Sequence, residues 1–403
     1  MDFNDTPQEA AFRAEVRAWL AGNAAEYARP PRAPWSEAEI VARGRAWLRR
    51  KAEAGYATIT WPKEIGGRGG TPMEAVILGQ EEGGYTLPEG PFSKIGVNMA
   101  CPTIRRHGTA EQYERFAGPT LRGEILWCQL FSEPGAGSDL AGVRTKAVRD
   151  GDAWIVSGQK VWSSWAHHAD WAILLARTDP GAPKHKGLTF FVLDMKTPGI
   201  EVRPIRQING KSDFNETFLT DVVIPDSCRI GAVGEGWACA MTVLMNERAG
   251  SGGAAESFAR KLVRQAGDTQ RDGGSALDSA AVRQKLARWY AEEQGLKYFG
   301  YRMLTSLSKG EPPPPSAAMV KLVSATLLQE TRAFAMDLDE VGGLFEDEGR
   351  PERDEVFLDY LWSSALRIAG GADEILRNQL AERMLGMPGE MRADKDVPFD
   401  QLP

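Results

Sequence analysis

Apolar residues recur at helical spacing near the start of the chain. Phe12, Val16, Trp19 and Leu20 share one face, and Ile40, Ala46, Trp47 and Leu48 continue the pattern. Pro30-Pro31-Arg32-Ala33-Pro34 separates two helices, and Trp61 to Gly70 reads as a glycine-rich loop. Near residue 126 the period changes. Ile125 to Phe131, Trp154 to Gly158, Trp171 to Ala176, Leu188 to Leu193 and Glu216 to Val222 are short strand-like runs bounded by Asp, Gly and Pro. From about residue 237 the helical period returns, through Met241, Leu244, Met245, Leu262, Val263, Leu286, Trp289, Tyr290 and Leu296, and persists to about residue 385. Glu311-Pro312-Pro313-Pro314-Pro315 stops one late helix, and Ala369 to Glu374 interrupts the last helical stretch. The pattern predicts an α+β chain of three domains: helical over 1–125, all-β over 126–231 and helical over 232–403.

A length of 403 residues fits this division, since a domain typically takes about 150 residues. The net charge of −7 offers no general attraction to nucleic acid or anionic membrane, so neither is expected as a partner. The N-terminus lacks a basic and apolar leader, and no apolar run approaches the ~18 residues that span a bilayer, so a cytoplasmic protein is expected. Cys101, Cys128, Cys228 and Cys239 show no paired spacing and read as buried reduced thiols. No HExxH occurs, and His167-His168 has no acidic or cysteine neighbour at ligand spacing, so no metal site is expected. Lys184-His185-Lys186 reads as a solvated loop.

Ser132-Glu133-Pro134-Gly135-Ala136-Gly137-Ser138-Asp139 follows a strand. Its glycines let backbone N–H groups approach a ligand, and its hydroxyls can bind a flavin edge or a phosphate. A glycine-rich turn without a ligand explains the same spacing. The segment resembles the flavin-binding loop of the acyl-CoA dehydrogenase family. Ile104 to Gln112 is similar to that family's segment just upstream, Gly158-Gln159-Lys160-Val161-Trp162-Ser163-Ser164 to its second flavin segment, and Ile368 to Pro388 to its C-terminal signature. The resemblance covers essentially the whole chain. It implies a helical N-domain, a central β-barrel and a C-terminal four-helix bundle, with FAD near a subunit interface.

The resemblance also implies site residues. Gln129, Phe131, Ser132, Gly137, Ser138, Trp162, Ser163, Ser164, Gly371, Ala372 and Glu374 would line FAD, with Trp162 against the isoalloxazine and Ser164 near its reactive nitrogen. Ser138, Met245 and Arg248 would meet an acyl-CoA substrate. Many members carry the catalytic Glu in the C-terminal signature, where this chain has Gly370, which cannot take a proton. A second family arrangement places a Glu followed by Arg on the helix after the β-domain, and Met245-Asn246-Glu247-Arg248 stands there. Glu247 is thus the candidate base. Apolar neighbours Met241, Leu244 and Met245 would raise its pKa by burial. Residue type alone makes it a solvated helix glutamate. The N–H near Gly370 would bond the thioester carbonyl.

Several positions depart from the family. Ala372 and Glu374 replace frequent Thr and Gln, and residues 264–280 are rich in Gly, Ser and Asp where an Arg-x-x-Phe-Gly stretch is usual. The departures resemble a bacterial subgroup that forms mixed tetramers and acts on bulky substrates, including steroid side-chain CoA esters. The expected activity is FAD-dependent dehydrogenation of an acyl-CoA to a trans-2-enoyl-CoA, in fatty acid or steroid side-chain β-oxidation, with an electron-transfer flavoprotein as acceptor and a homotetramer or mixed tetramer as the assembly. A non-catalytic subunit completing a partner's flavin site and an acyl-CoA oxidase are the alternatives.

Overall fold

The computed structural model describes residues 5–28, 35–88, 92–249, 257–271, 273–309, 316, 318–338 and 351–402. The proline clusters at 30–34 and 311–315 lie outside them. The chain divides into two compact units, Met1–Ser251 together with Glu390–Pro403, and Gly252–Gly389.

The first unit begins with helices α1 (Pro7–Tyr27), α2 (Glu37–Glu53) and α3 (Pro72–Glu82). A π-helical stretch, Phe92–Ala100, runs into α4 (Cys101–His107), and α5 (Ala110–Leu121) follows. Reciprocal caps set four helix starts: Thr6 with Glu9, Ser36 with Glu39, Thr71 with Glu74, and Thr109 with Gln112. In each, the hydroxyl accepts from a first-turn N–H and the later side chain accepts from the cap N–H, satisfying two otherwise unbonded donors. The helical period is met in three dimensions. Phe12, Val16 and Leu20 are buried in one cluster with Trp47, Tyr56 and Ile77.

An eight-stranded sheet stands where a β-barrel is expected. Its strands are β1 (Trp127–Leu130), β2 (Lys146–Asp150), β3 (Ala153–Ser164), β4 (Trp171–Arg177), β5 (Leu188–Asp194), β6 (Ile200–Ile205), β7 (Phe214–Pro225) and β8 (Arg229–Ile230). The order is β6-β7-β3-β2-β4-β5-β8, with β1 joined to β4 in parallel. Among the described residues no ladder joins β6 to β8. The apolar runs of β4 and β5 are buried almost throughout and form the middle of the core with Trp127, Trp154 and Phe131. Strands β2 and β6 escape the sequence pattern because β2 buries only Ala147 and β6 is half-buried or exposed along its length.

Helix α6 (Gly236–Ala249) leaves the sheet at the glycine that begins it. A Cβ at Gly236 would lie 2.6 Å from the Thr189 carbonyl carbon, so only glycine lets the helix start against β5. The α6 helix packs on β5, α4 and the π-helical stretch. The tail returns to this unit. Phe399 N–H donates to Ala182 O at 3.0 Å, and the Phe399 ring lies 3.4 Å from the Arg177 guanidinium carbon.

The second unit holds α7 (Phe258–Asp268), a hairpin of β9 (Gln270–Arg271) and β10 (Gly274–Ser275), then α8 (Ala280–Ser308), α9 (Ala318–Leu338), α10 (Pro351–Ser363) and α11 (Asp373–Arg383). Helix α9 packs against each of the other four. Leu262, Leu286, Trp289, Phe334 and Leu338 are buried together. The Gly/Ser/Asp-rich stretch 264–280 comprises the end of α7, the hairpin, a 3-10 turn and the first residue of α8. Among the described residues no helix is long and apolar enough to cross a membrane.

The turn from β7 to β8 carries a titratable anchor. Asp226 accepts from Trp154 Nε1 at 2.7 Å and from Arg229 Nε at 2.8 Å and Nη2 at 3.0 Å. The Arg229 guanidinium holds its carboxyl at about 2, below the ordinary 3.8. A depressed folded-state pKa adds stability above the unfolded value and loses it as pH falls through the folded one. Asp226→Asn is expected to lower unfolding stability at pH 7 by about 1 kcal/mol, with allowance for partial exposure. In urea titrations of both proteins the gap is expected to narrow below pH 4 and close near pH 2.

Candidate functional site

Two segments singled out by sequence meet at one end of the sheet. Beyond β1 the chain makes a tight turn in which Glu133 and Ala136 exchange backbone hydrogen bonds, both 3.0 Å. Val161 N–H then donates to Ser132 O at 2.9 Å, so the loop 132–138 lies beside β3.

A buried ion pair, absent from the sequence expectations, fixes this junction. The Lys160 side chain is fully buried and Glu133 nearly so. An ammonium has three N–H donors. Lys160 Nζ gives them to Phe131 O at 2.9 Å, Leu175 O at 2.8 Å and Glu133 Oε1 at 2.9 Å. Glu133 also accepts from the N–H groups of Arg144 at 2.6 Å and Thr145 at 2.9 Å. Burial pushes the Glu133 carboxyl up, but the Lys160 charge, helped by these donors, holds it below its usual range. Burial pulls Lys160 down to about 8, and the Glu133 charge opposes that pull. The lysine of Gly158-Gln159-Lys160 and the glutamate of Ser132-Glu133-Pro134 were the legible signal: a charge of each sign amid strand-like sequence.

The loop itself is open. A Cβ on Gly135 or Gly137 would meet nothing within 4 Å, and neither has positive φ. These glycines are therefore not required by turn geometry and leave room for close approach of a ligand. Ser132 is half-buried, and Gly137 and Ser138 are exposed. Gln129 is half-buried on β1. The Phe131 ring is committed to the core, edge-on to Phe190 at 5.9 Å.

The second segment is bent by a register shift between Lys160 and Ser163 in the β3–β7 ladder. Trp162 sits in the left-handed region at φ 61, the residue is 58% exposed, and its ring is supported edge-on by Phe214 at 5.9 Å. Left-handed backbone costs a non-glycine residue roughly 1 kcal/mol or more, so the surrounding ladder imposes this orientation. Ser163 is buried, and Ser164 is half-buried opposite Phe214. Asn215 Nδ2 donates to Ser163 O at 2.8 Å. Ser163 Oγ and Asn215 Oδ1 are buried without a hydrogen-bond partner among the described residues. An exposed aromatic face, unpartnered polar atoms beside it and an unobstructed glycine loop fit a flavin ring and its polar edge.

Glu247 is half-buried on α6, one turn beyond Val243, which is fully buried. Its expected apolar enclosure is partial within this unit. Met241 and Leu244 are half-buried and Met245 is 57% exposed. The Arg248 side chain and residues 250–253 lie outside the described residues.

In the second unit Gly370 and Gly371 both have positive φ, 68 and 104. Two consecutive left-handed residues explain glycine at both places. Gly371 O accepts from Lys321 Nζ at 2.6 Å. Ala372 precedes α11 without a side-chain cap, buried Asp373 pairs with Arg367 and Lys321, and Glu374 is exposed.

Two other expectations are corrected. Lys184 is buried and paired with Asp139 at 2.8 Å and with Asp394 of the returning tail, rather than solvated. His167 and His168 do have an acidic neighbour, Glu37, supplied by α2 from far along the chain. The four cysteines are free and buried, and burial pushes Cys101 up to about 12.

The helix–sheet–helix order and the paired loop segments define a class, a flavoprotein-type dehydrogenase fold. The comparisons place the chain within it. Family profiles described as the N-terminal, middle and C-terminal domains of acyl-CoA dehydrogenase match residues 6–124, 128–222 and 234–385. The chain belongs to the acyl-CoA dehydrogenase family and is an oxidoreductase; the family generally uses FAD. It is 43% identical over 339 residues to the acyl-CoA dehydrogenase FadE34 of Mycobacterium tuberculosis, covering 84% of this chain but 45% of that relative. Thus it spans about half that relative's length. It is 38% identical over 386 residues to the acyl-CoA dehydrogenase IpdE1 of Mycobacterium tuberculosis, covering 94% of this chain and 98% of the relative. The solved "Tcur3481-Tcur3483 steroid ACAD" superposes with a TM-score of 0.79 at 28% identity, covering 97% of this chain and 100% of that one.

Removing one member of a buried pair strands the other's charge. Lys160→Met is expected to lower unfolding stability by about 3 kcal/mol or more. Combined with Glu133→Gln it should cost clearly less than the sum of the two single changes. Denaturant titration of the two singles and the double measures the coupling.

Proposed function

We propose that the chain catalyses α,β-dehydrogenation of an acyl-CoA thioester to a trans-2-enoyl-CoA, with Glu247 as the base that takes the α-proton. What supports this reading is a half-buried carboxylate on α6, in a sequence that has glycine at 370, the C-terminal position where many members carry their base. FAD, when bound, supplies the two-electron oxidant that receives the β-hydrogen as hydride. The loop 132–138 and the segment 162–164 would hold it. Ser132 and Ser138 would give hydroxyl contacts, Trp162 would cover the ring, and Gly371, Ala372 and Glu374 would border the cofactor through their main chain. The Gly370 N–H would bond the thioester carbonyl and stabilise the developing enolate oxygen. Arg248 would orient the substrate, and Met245 would contact its acyl part.

A bulky, polycyclic acyl group is the proposed substrate class. A structural relative titled a steroid ACAD supports it, as do the small residues Ala249 to Gly253 beyond Glu247. An electron-transfer flavoprotein is the proposed acceptor. The assembly is proposed as a tetramer, homomeric or mixed with a related chain.

Glu247→Gln keeps size and polarity but removes the base. Turnover is expected to fall by about 10²–10⁴-fold, with circular dichroism and flavin content unchanged. Turnover near wild type would remove Glu247 as base. The visible spectrum of the chain expressed alone should show about one flavin per chain. A colourless protein that gains flavin on co-expression with a related chain would favour the shared-site subunit. Stoichiometric hydrogen peroxide under air would indicate an oxidase instead.

Steroid side-chain CoA esters are expected to exceed straight-chain acyl-CoA in kcat/KM. Equal or inverted values would dismiss the bulky-substrate assignment.

A further inference from the structure

Just beyond the segment 158–164, two elements 130 residues apart in sequence bring three metal-ligating groups together. Glu37 is the first residue of α2, and His167 and His168 occupy the 3-10 turn Ala166–His168 between β3 and β4. His167 Nε2 lies 3.3 Å and His168 Nε2 3.4 Å from the same oxygen, Glu37 Oε2. One ligand atom from each residue lies within 4.8 Å of the other two.

These separations are long for charge-assisted hydrogen bonds, which run at about 2.7–2.9 Å. Arg45 to Asp170 and Lys51 to Glu82, both 2.7 Å, show the short form in the same unit, whereas Arg50 to Glu53 and Arg392 to Asp394 reach 3.5 Å. The distances instead match the edge of a tetrahedron. Metal–ligand bonds of about 2.0–2.1 Å to imidazole nitrogen and carboxylate oxygen place neighbouring ligands about 3.3 Å apart.

The arrangement is also held in advance. Consecutive side chains normally diverge, yet the two imidazole centroids are 4.1 Å apart. Trp165 precedes the turn at φ 55, its N–H donates to Asp213 O at 2.9 Å, and its ring stacks on His167 at 6.1 Å and 15°. The His167 side chain is 17% exposed and that of Glu37 45%, which leaves a solvent side for a water ligand.

We propose that Glu37, His167 and His168 bind a first-row divalent cation of the zinc type, clipping the first turn of α2 to the turn that follows β3. Two imidazoles and one carboxylate are the donor set that suits such an ion. The site is separate from the proposed dehydrogenation and does not depend on it.

The test uses tag-free, chelator-treated full-length protein titrated calorimetrically with Zn²⁺, and with Co²⁺ read by its visible ligand-field bands. One Zn²⁺ per chain is expected, with Kd about 1 μM or below, and a higher melting temperature with Zn²⁺. Glu37→Gln and His168→Ala should each weaken binding at least about tenfold. His167→Ala/His168→Ala supplies the background, since the remaining histidines, His107 on α4 and His185 in the loop between β4 and β5, lie elsewhere and all four thiols are buried. Wild-type binding no tighter than that background overturns the proposal, as does stoichiometric binding that survives in Glu37→Gln. Should the histidine variants fail to fold, the wild-type melting temperature decides: no rise with Zn²⁺ overturns the site.

Discussion

The fully buried ammonium of Lys160 is the constraint on which the sheet's functional end depends. A charge taken out of water must be matched by partners, and here all three N–H bonds are used. The acceptors come from three places: Phe131 just after β1, strand β4 and the loop glutamate. One side chain on β3 thereby ties two other strands to the loop beyond β1. Glu133 extends the tie to the backbone of Arg144 and Thr145, just before β2. Dry placement makes the arrangement demanding, because any slip in register would leave a charge without partners. The same register sets Val161 against Ser132 and projects Trp162 outward.

Local strain is concentrated where that register ends. Trp162 and Trp165, three residues apart, both hold left-handed backbone. The sheet pays for one by the Asn215 and Phe214 contacts and for the other by the Asp213 carbonyl. One result is an exposed indole beside the open glycine loop. The other is a turn that presents two adjacent imidazoles to α2. A single irregularity at the end of β3 thus shapes both the cofactor segment and the proposed cation clip.

The C-terminal signature illustrates a trade between side chain and backbone. Gly370 and Gly371 give up any side-chain chemistry and hold consecutive positive-φ conformations without the steric cost that other residues meet there. On the proposed reading, that loop keeps only an N–H for the substrate carbonyl, and proton transfer moves to α6. Asp373 at the start of α11 is paired with Arg367 and Lys321, while the neighbouring Glu374 is exposed.

Periodicity alone determined the order of helices, strands and helices, because a 3.6-residue or near-continuous apolar pattern is enforced by burial of each element's inner face. Motif chemistry marked three segments as functional: Ser132 to Asp139, Gly158 to Ser164, and Ile368 to Pro388. Strands such as β2 and β6 were not legible, since their exposed residues carry no pattern and their place is set by neighbouring strands. Partnerships between distant residues were equally hidden. Lys160 with Glu133, Lys184 with Asp394, and Glu37 with His167 and His168 join positions from 27 to 210 residues apart. Sequence spacing governs contact only within one helix turn or one strand. Across longer separations, the packing of the sheet, the helices and the returning tail decides which charges meet, and only the tertiary structure records it.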